Sequence, residues 1–501
     1  MEGTVTLTKR ILSETAVVAI LLGVMVLLAG GESLALDTFL VGPRAMGMAG
    51  ANVASVKDTT AQYYNPAAFG FFDCQSPEGD KIAGDNNNIG KKRWGADLNA
   101  AAGYRLHNQF GEFLDDLADI DHEGLSAEGV QSESDLADLV NLVKDLNGLD
   151  EPGNAITADT NAGLGIRAGH LGFGARGFFQ ATGQVVDLDT AHLGLGPADL
   201  DGDINSITIA GNDGQISLFT DDQKIQLKAA GLDDNAIQKL DFMARQQEVS
   251  SEDAQGFVDI LAGVSNQSGT SSLEDNETMV LLKGFGVGEV PFSYGYAIND
   301  HWSIGGNVKL MVGRVYGTEV TVFDNDSGDV IEEADREYKE TTNFGVDLGV
   351  MGRYEKVNFG LVARNVNCPQ FDGPKVNGRQ FDDVTIDPQV TAGIALSPIE
   401  TLTLEADIDL TENETTFTDY DTRNLAFGLE WDLFHFLALR AGAYQNLAED
   451  DIGWVYTTGL GLNLWAMRLD VAAALAEEKE QFDEDEIPKE LRLAAQLSID
   501  F

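Results

Sequence analysis

From Trp94 to the end of the chain, apolar side chains recur at every second position in runs of about ten residues, and a turn closes each run. Period two marks strands whose two faces meet different surroundings. Trp94, Ala96, Leu98, Ala100, Ala102, Tyr104 and Leu106 share one face, while Gly95, Asp97, Asn99, Gly103 and Arg105 share the other. Leu402, Leu404, Ala406, Ile408 and Leu410 alternate in the same way with Thr401, Thr403, Glu405, Asp407 and Asp409. About fourteen runs follow this rule, near 92–106, 161–170, 171–187, 288–299, 301–315, 341–353, 356–366, 388–397, 401–411, 422–433, 436–446, 452–464, 466–476 and 489–501. Connections such as Asn299-Asp300, Glu355-Lys356 and Pro398-Ile399-Glu400 are short enough for hairpins, whereas 324–340 and 477–488 are long and acidic.

Alternation is shared by soluble β-sandwiches and membrane barrels. Runs of ten or more residues match a tilted crossing of a bilayer. The polar face is rich in Gly and carries both charge signs, which suits a crowded or wet lumen. The expected fold is therefore all-β, a transmembrane antiparallel β-barrel of about 14 strands spanning 90–501, with a sandwich as the alternative.

The N-terminus bears on compartment. Lys9 and Arg10 precede an uncharged apolar run from Ala16 to Ala29, and Ser33-Leu34-Ala35 fits a small-x-small cleavage site. Residues 1–35 read as a signal peptide with Leu36 as the mature start; an uncleaved anchor is the alternative. No later stretch has the roughly 20 apolar residues of a transmembrane helix, so a membrane crossing would use strands. With 82 Asp+Glu against 32 Lys+Arg, the formal charge is −50. Nucleic-acid phosphates repel such a chain, which excludes a nucleic-acid partner. A hydrophobic fraction of 43% argues against disorder. Cys74 and Cys368 are the only cysteines, and sequence leaves their pairing open.

Two stretches depart from period two. Within 110–150, Leu136, Leu139, Val140, Val143 and Leu146 have helical spacing, with Ser132 and Asp135 as a capping pair. Within 220–265, Thr220 and Gln223 form a candidate capping box, one helix ends near Gly231, and stripes at Ile237, Leu240, Ala244 and at Phe257, Val258, Ile260, Leu261, Val264 follow. These insertions must lie outside the bilayer or in the lumen. Long surface loops and a helical cap over the barrel mouth are both compatible with them.

The block Gly42-Pro43-Arg44-Ala45-Met46-Gly47-Met48-Ala49-Gly50-Ala51, followed by Asp58-Thr59-Thr60-Ala61 and Tyr63-Tyr64-Asn65-Pro66-Ala67-Ala68, is too small-residued for a core helix and too apolar for a free tail. Small residues permit close backbone approach. This block resembles the mature N-terminus of FadL-like outer-membrane proteins, a group that includes fatty-acid and aromatic-hydrocarbon transporters, PorV-type secretion barrels and a TraF-like conjugal-transfer branch. The helical insertions and long chain look most like that last branch. The resemblance implies a fourteen-stranded barrel with segment 36–75 folded inside as a plug, its motif carried by Gly42, Arg44, Gly47, Gly50, Asp58, Asn65, Pro66 and Ala67. The final strand, ending in Phe501, resembles the signal read by the barrel assembly machinery.

No HExxH is present, and His107, His122, His170, His192, His301 and His435 do not pair at metal-ligand spacing. No enzyme activity and no cofactor are expected. Asp199, Asp201 and Asp203 place oxygens at every second position, as a calcium loop begins, but the Gly is misplaced and no Glu closes the loop. Solvated acidic turns and a calcium site are the two readings, and Asp324-Asn325-Asp326-Ser327-Gly328-Asp329 repeats the ambiguity. The expected function is passive uptake of small hydrophobic molecules across the outer membrane of a Gram-negative-type cell. Its partners would be outer-membrane lipid, the hydrophobic cargo and the assembly machinery. The alternative is a scaffold for a secretion or conjugal-transfer partner.

Overall fold

Each alternating run forms a strand, and every strand pairs antiparallel with the next until the last meets the first. A computed structural model describes residues 37–72, 94–113, 130–150, 153–189, 192, 200–209, 215–265, 278–321, 338–376, 378–417, 420–434, 436–464, 467–482 and 485–500. The barrel strands are β1 (Trp94–His107), β2 (Ala155–Ala168), β3 (Leu171–Asp187), β4 (Met279–Ala297), β5 (Trp302–Thr321), β6 (Tyr338–Arg353), β7 (Val357–Arg364), β8 (Gln389–Ile399), β9 (Leu402–Asp409), β10 (Asn424–Leu433), β11 (Leu437–Asn446), β12 (Trp454–Leu464), β13 (Met467–Ala476) and β14 (Glu490–Asp500). β14 lies between β13 and β1 and closes the barrel.

The apolar face points outward. On β2, Ile156, Leu164 and Ile166 are exposed, while Thr157, Asp159, Asn161 and Arg167 are buried inside. On β14, Leu493, Leu497 and Ile499 face out and Arg492, Gln496 and Ser498 face in. A closed wall leaves no unpaired sheet edge, and an apolar exterior with satisfied backbone is what lipid demands of a strand-built span.

Two strands start earlier than the alternation predicts. β2 begins at Ala155 rather than near 161, because only Ile156 is strongly apolar among its first outer residues, the next being Ala158 and Thr160, so the contrast with Ala155, Thr157 and Asp159 inside is weak. β4 begins at Met279 rather than near 288, because its first half is apolar on both faces: Leu281, Phe285 and Val287 are buried in the lumen. The β3–β4 ladder is interrupted between Phe173–Phe292 and Arg176–Glu289, where Pro291 has no N–H to donate.

Antiparallel order sorts the connections into two ends. Turns such as 298–301 and 354–356 join the strands at one end, and the strands' opposite ends carry the longer strand-to-strand connections. Both helical insertions belong to the long end, between β1 and β2 and between β3 and β4. Their helices are Glu133–Asp150, Leu200–Ser206, Asp221–Ala229, Asp234–Gln246 and Ala254–Ser265. They share a core of their own, built on Leu136, Leu139, Val143, Leu227, Leu240 and Phe257. Both predicted caps are present: the Asp135 N–H donates to Ser132 Oγ at 3.2 Å while Ser132 N–H donates back to Asp135 Oδ2 at 2.9 Å. Thr220 and Gln223 form the reciprocal box of the third helix, which stops before Gly231 at φ 106°. The short helix Leu200–Ser206 was not predicted. It is closed by Lys239, whose Nζ donates to the carbonyls of Ile204, Asn205 and Ile207 at 3.0, 3.0 and 2.6 Å.

The β13–β14 connection carries a small hairpin, Lys479–Phe482 with Asp485–Pro488, that docks on residues 110–113. Glu480 Oε2 accepts the Gly111 N–H at 2.8 Å. Burial raises the Glu480 carboxyl from 4.5 to about 7, against the pull of the Gly111 amide and Lys489 and with the push of Glu112. A raised carboxyl favours the docked hairpin while neutral. Its contribution is complete below about pH 4.5 and is lost as pH rises through about 7. Protection of the 110–113 amides, taken relative to their intrinsic exchange rate at each pH, should therefore fall between pH 5 and 8, and Glu480→Gln should remove that fall. Protection that stays constant across this range in the parent chain would refute the assignment.

Candidate functional site: the luminal plug and its seat

The segment from Asp37 to Phe72 lies inside the barrel, and its small residues explain how. Gly42 at φ 79° turns the chain, Pro43 starts the five-residue helix α1 (Pro43–Gly47), and every residue of α1 is buried. Asp58 Oδ1 accepts the Thr60 N–H at 2.9 Å, opening helix α2 (Ala61–Tyr64). Asn65 caps a 3₁₀ turn at Pro66–Gly70 by accepting the Ala67 N–H at 3.1 Å. Its Nδ2 donates to the Val53 carbonyl at 3.0 Å and to Val350 on β6 at 3.1 Å. One side chain thus orders the turn, the loop before it and the wall.

Strand glycines receive the plug. A Cβ on Gly459 of β12 would stand 3.0 Å from the Cα of Gly47, and one on Gly305 of β5 would overlap the Pro66 carbonyl. Gly349 meets Asn65, Gly360 meets Val53 and Gly428 meets Met48 in the same way. Gly50, at φ 89°, turns the plug back toward the wall.

The two sides of the seat differ in chemistry. Toward β9–β13 it is ionic. Glu430 accepts from Arg44 Nε at 3.1 Å, Lys57 Nζ at 2.5 Å and Arg440 Nε at 2.8 Å, with Arg468 Nη2 at 3.8 Å. Asp470 holds Arg440 at 2.8 Å and Arg468 at 2.9 Å from the far side. On β9, Asp407 Oδ2 accepts the N–H groups of Asn52 and Val53 at 2.8 and 2.9 Å, and Glu405 Oε1 accepts those of Ala54 and Ser55 at 2.7 and 3.1 Å. Arg44 also reaches Asn52 and Ser55. Toward β3–β6 the seat is mostly apolar, with a few hydrogen bonds set into it: Ser303 Oγ donates to the Ala67 carbonyl at 2.6 Å, Asn307 Nδ2 to the Gln62 carbonyl at 2.5 Å and Arg176 Nη2 to the Thr59 carbonyl at 3.2 Å. Phe39, Val41, Phe69, Phe71 and Phe72 of the plug pack with Phe178, Phe285, Val287, Met311, Val315 and Phe371. The Phe39 and Phe178 rings lie 5.0 Å apart, and Arg364 stands 4.5 Å over Tyr63.

The predicted motif residues thus come together in one seat, while other expectations fall elsewhere. Of the calcium candidates, Asp201 and Asp203 stand on the Leu200–Ser206 helix rather than in a loop, and two-residue spacing there sends their carboxylates apart. Asp201 accepts the Asp233 N–H at 2.6 Å and Asn205 Nδ2 at 3.2 Å. Among the described residues no three His, Cys, Asp or Glu gather as a metal site. Asp199, the loop 324–329, Cys74, His122, His435, residues 1–35 and Phe501 lie outside the described residues. The carboxylates on β9 and β10 went unread as site residues. The signal was Glu405, Asp407 and Asp409 at alternate positions on one strand, an acidic stripe on a single face.

The family model described as the F plasmid transfer operon TraF protein matches residues 62–409. No curated protein matches the chain. Among solved structures, the chain is similar to the Pseudomonas putida toluene transporter TodX at 10% identity and a TM-score of 0.42, covering 92% of this chain and 98% of that one. It is also similar to a Pseudomonas aeruginosa FadL homologue at 11% identity and a TM-score of 0.42, covering 94% and 100%, and to the monoaromatic hydrocarbon channel CymD at 10% identity and a TM-score of 0.43, covering 93% and 99%.

Proposed function

The chain belongs to the TraF family, and from that premise we propose that it is an outer-membrane barrel for passive uptake of small hydrophobic molecules, gated by its plug. The observation that carries this reading is the two-sided seat. Ionic and backbone hydrogen bonds hold the plug against β9–β13, where its displacement would strand buried charges. The β3–β6 side is held mainly by aromatic and aliphatic packing, with a few neutral hydrogen bonds among it; that packing is non-directional, and an apolar cargo can replace it contact for contact. The β3–β4 ladder is also interrupted there, opposite Pro291. Cargo would enter from the long-loop end and pass between the plug and β3–β6. The test is uptake by a deletion strain, alongside analysis of extracts from the purified protein. Slowed uptake of monoaromatic or fatty compounds, restored by the gene, supports the reading. Normal uptake together with extracts free of apolar cargo defeats it.

A second reading rests on a separate observation. The helical insertions hold 24 buried apolar residues in a core independent of the barrel, more structure than a loop needs to close a pore. They suit a docking platform for a transfer or secretion partner, in line with the family's description. Crosslinking in intact outer membranes, comparing the full chain with one lacking 200–265, separates the readings: a partner lost with the helices supports docking, and no captured partner removes it.

A further inference from the structure

The plug does not fill its seat completely. Between its first residues, Tyr420 and Thr422 beyond β9, and the wall from β7 to β14 lies a cavity of about 70 Å³. One water needs about 10–15 Å³ of such space, so the cavity exceeds a single solvent site several times over. Its walls are mixed. Leu40, Val455 and the rings of Tyr420 and Tyr444 supply apolar surface, while five carboxylates and three guanidiniums supply charge.

Three lining groups keep an unmatched atom. Arg105 Nε and Arg364 Nη2 have no acceptor, and Asp407 Oδ1 has no donor, among the described residues. All three side chains are buried, at 5, 3 and 4% exposure. Other atoms of the same side chains are engaged: Arg105 Nη2 with Asp37, Arg364 Nε with Gln389 Oε1 at 3.2 Å, and Asp407 Oδ2 with the Asn52 and Val53 amides.

The chemistry of the occupant follows by elimination. A bare hydrocarbon would leave two N–H groups and one carboxylate oxygen desolvated and without partners, the costly case for buried polar groups. An anion faces the excess of carboxylates. An ammonium ion cannot accept from either guanidinium. A neutral hydroxyl accepts from an arginine N–H and donates to a carboxylate with the same oxygen. We propose that this cavity is a selectivity site for a small apolar molecule bearing a neutral hydroxyl, an aliphatic or aromatic alcohol, its apolar body lying against Leu40, Val455 and the tyrosine rings. This rests on the transport reading and narrows its cargo.

The experiment uses the full chain in amphipol and four compounds that share one ring: toluene, benzyl alcohol, benzoate and benzylammonium. Saturation-transfer NMR reads protein contact, with empty amphipol as background. Benzyl alcohol should give the strongest signal, falling at least fivefold in Arg364→Gln and in Arg105→Lys. The second variant keeps a positive charge beside Asp37 and loses the Nε donor together with the guanidinium fork, so it reports even if the first fails to fold. Equal signals for toluene and benzyl alcohol, or an alcohol signal unchanged in folded Arg105→Lys, would overturn the proposal, and contact by none of the four would mean that water alone fills the cavity. Toluene uptake that still depends on the gene would then leave the transport reading standing and remove only the hydroxyl.

Discussion

Replacing Glu430 by Ala should unseat the plug while leaving the barrel wall closed. Glu430 is the shared acceptor of Arg44 and Lys57 from the plug and of Arg440 from β11, and its side chain is 2% exposed. Breaking a buried ion pair by removing one partner costs about 3–5 kcal/mol, because the other charge stays buried without compensation. Here several cations lose one carboxylate, and Asp470 can serve only Arg440 and Arg468. Arg44 and Lys57 regain solvation only by leaving the seat. At 1.4 kcal/mol per tenfold, the unseated population should rise by about 10²–10³-fold. Single-channel recording in planar bilayers reads this directly: the parent chain should be closed to ions for nearly all of the record, and Glu430→Ala should open frequently. Glu430→Gln should fall between them, because it keeps acceptors and loses charge. The wall's own ladders do not involve this side chain, so heat-modifiable mobility of the barrel should persist. A variant that folds and stays as silent as the parent would show that the ionic side is not what holds the plug.

Gly305→Val should expel the plug by shape rather than charge. The space where its Cβ would stand is taken by the Pro66 carbonyl and the Ala67 amide nitrogen. Backbone cannot yield as a flexible side chain can. Overpacking of an ordinary core costs about 1–3 kcal/mol, and this overlap with a capped turn lies at or above the upper end. In the barrel alone, Val suits a strand better than Gly. The prediction is therefore asymmetric: conductance rises and barrel stability does not fall. Gly306→Val is the control on the same strand, since its Cβ would meet ordinary strand neighbours rather than the plug. Equal conductance in the two variants would contradict the seat at Pro66. Misfolding of Gly305→Val but not Gly306→Val would show instead that barrel and plug assemble as one unit.

The barrel was legible because lipid and lumen impose opposite demands on neighbouring residues, so every strand writes its own alternation. That legibility failed where the contrast weakened: at Ala155–Thr160, whose outer face holds Ala158 and Thr160 beside Ile156, and at Met279–Val287, where Phe285 and Val287 packed on the plug make the inner face apolar too. Ser132 with Asp135 and Thr220 with Gln223 announced their helices because caps are local chemistry. The Leu200–Ser206 helix is held by Lys239 from a distant element, which no local pattern contains. In the plug, Asn65-Pro66 and the glycines pointed to close packing. The seat itself depends on which strand faces which part of the plug, so Glu405, Asp407, Glu430 and Asp470 were visible only as a polar face.

Charge takes on a different meaning in this arrangement. A chain at −50 invites the view that its acids belong to loops and insertions around an apolar belt. Part of that excess lies inside the barrel instead, where it binds plug amides and plug cations. The lumen acids are structural partners, and the loop acids keep the long-loop end solvated.

Hydrogen exchange of the intact protein, read by mass spectrometry across residues 42–68, tests the central claim most directly. The account predicts that these amides exchange as slowly as those of β10–β13, with the Asn52 to Ser55 amides held on Asp407 and Glu405 among the slowest. Exchange of the whole block within seconds, at the rate of an unstructured chain, would contradict a plug seated in the lumen.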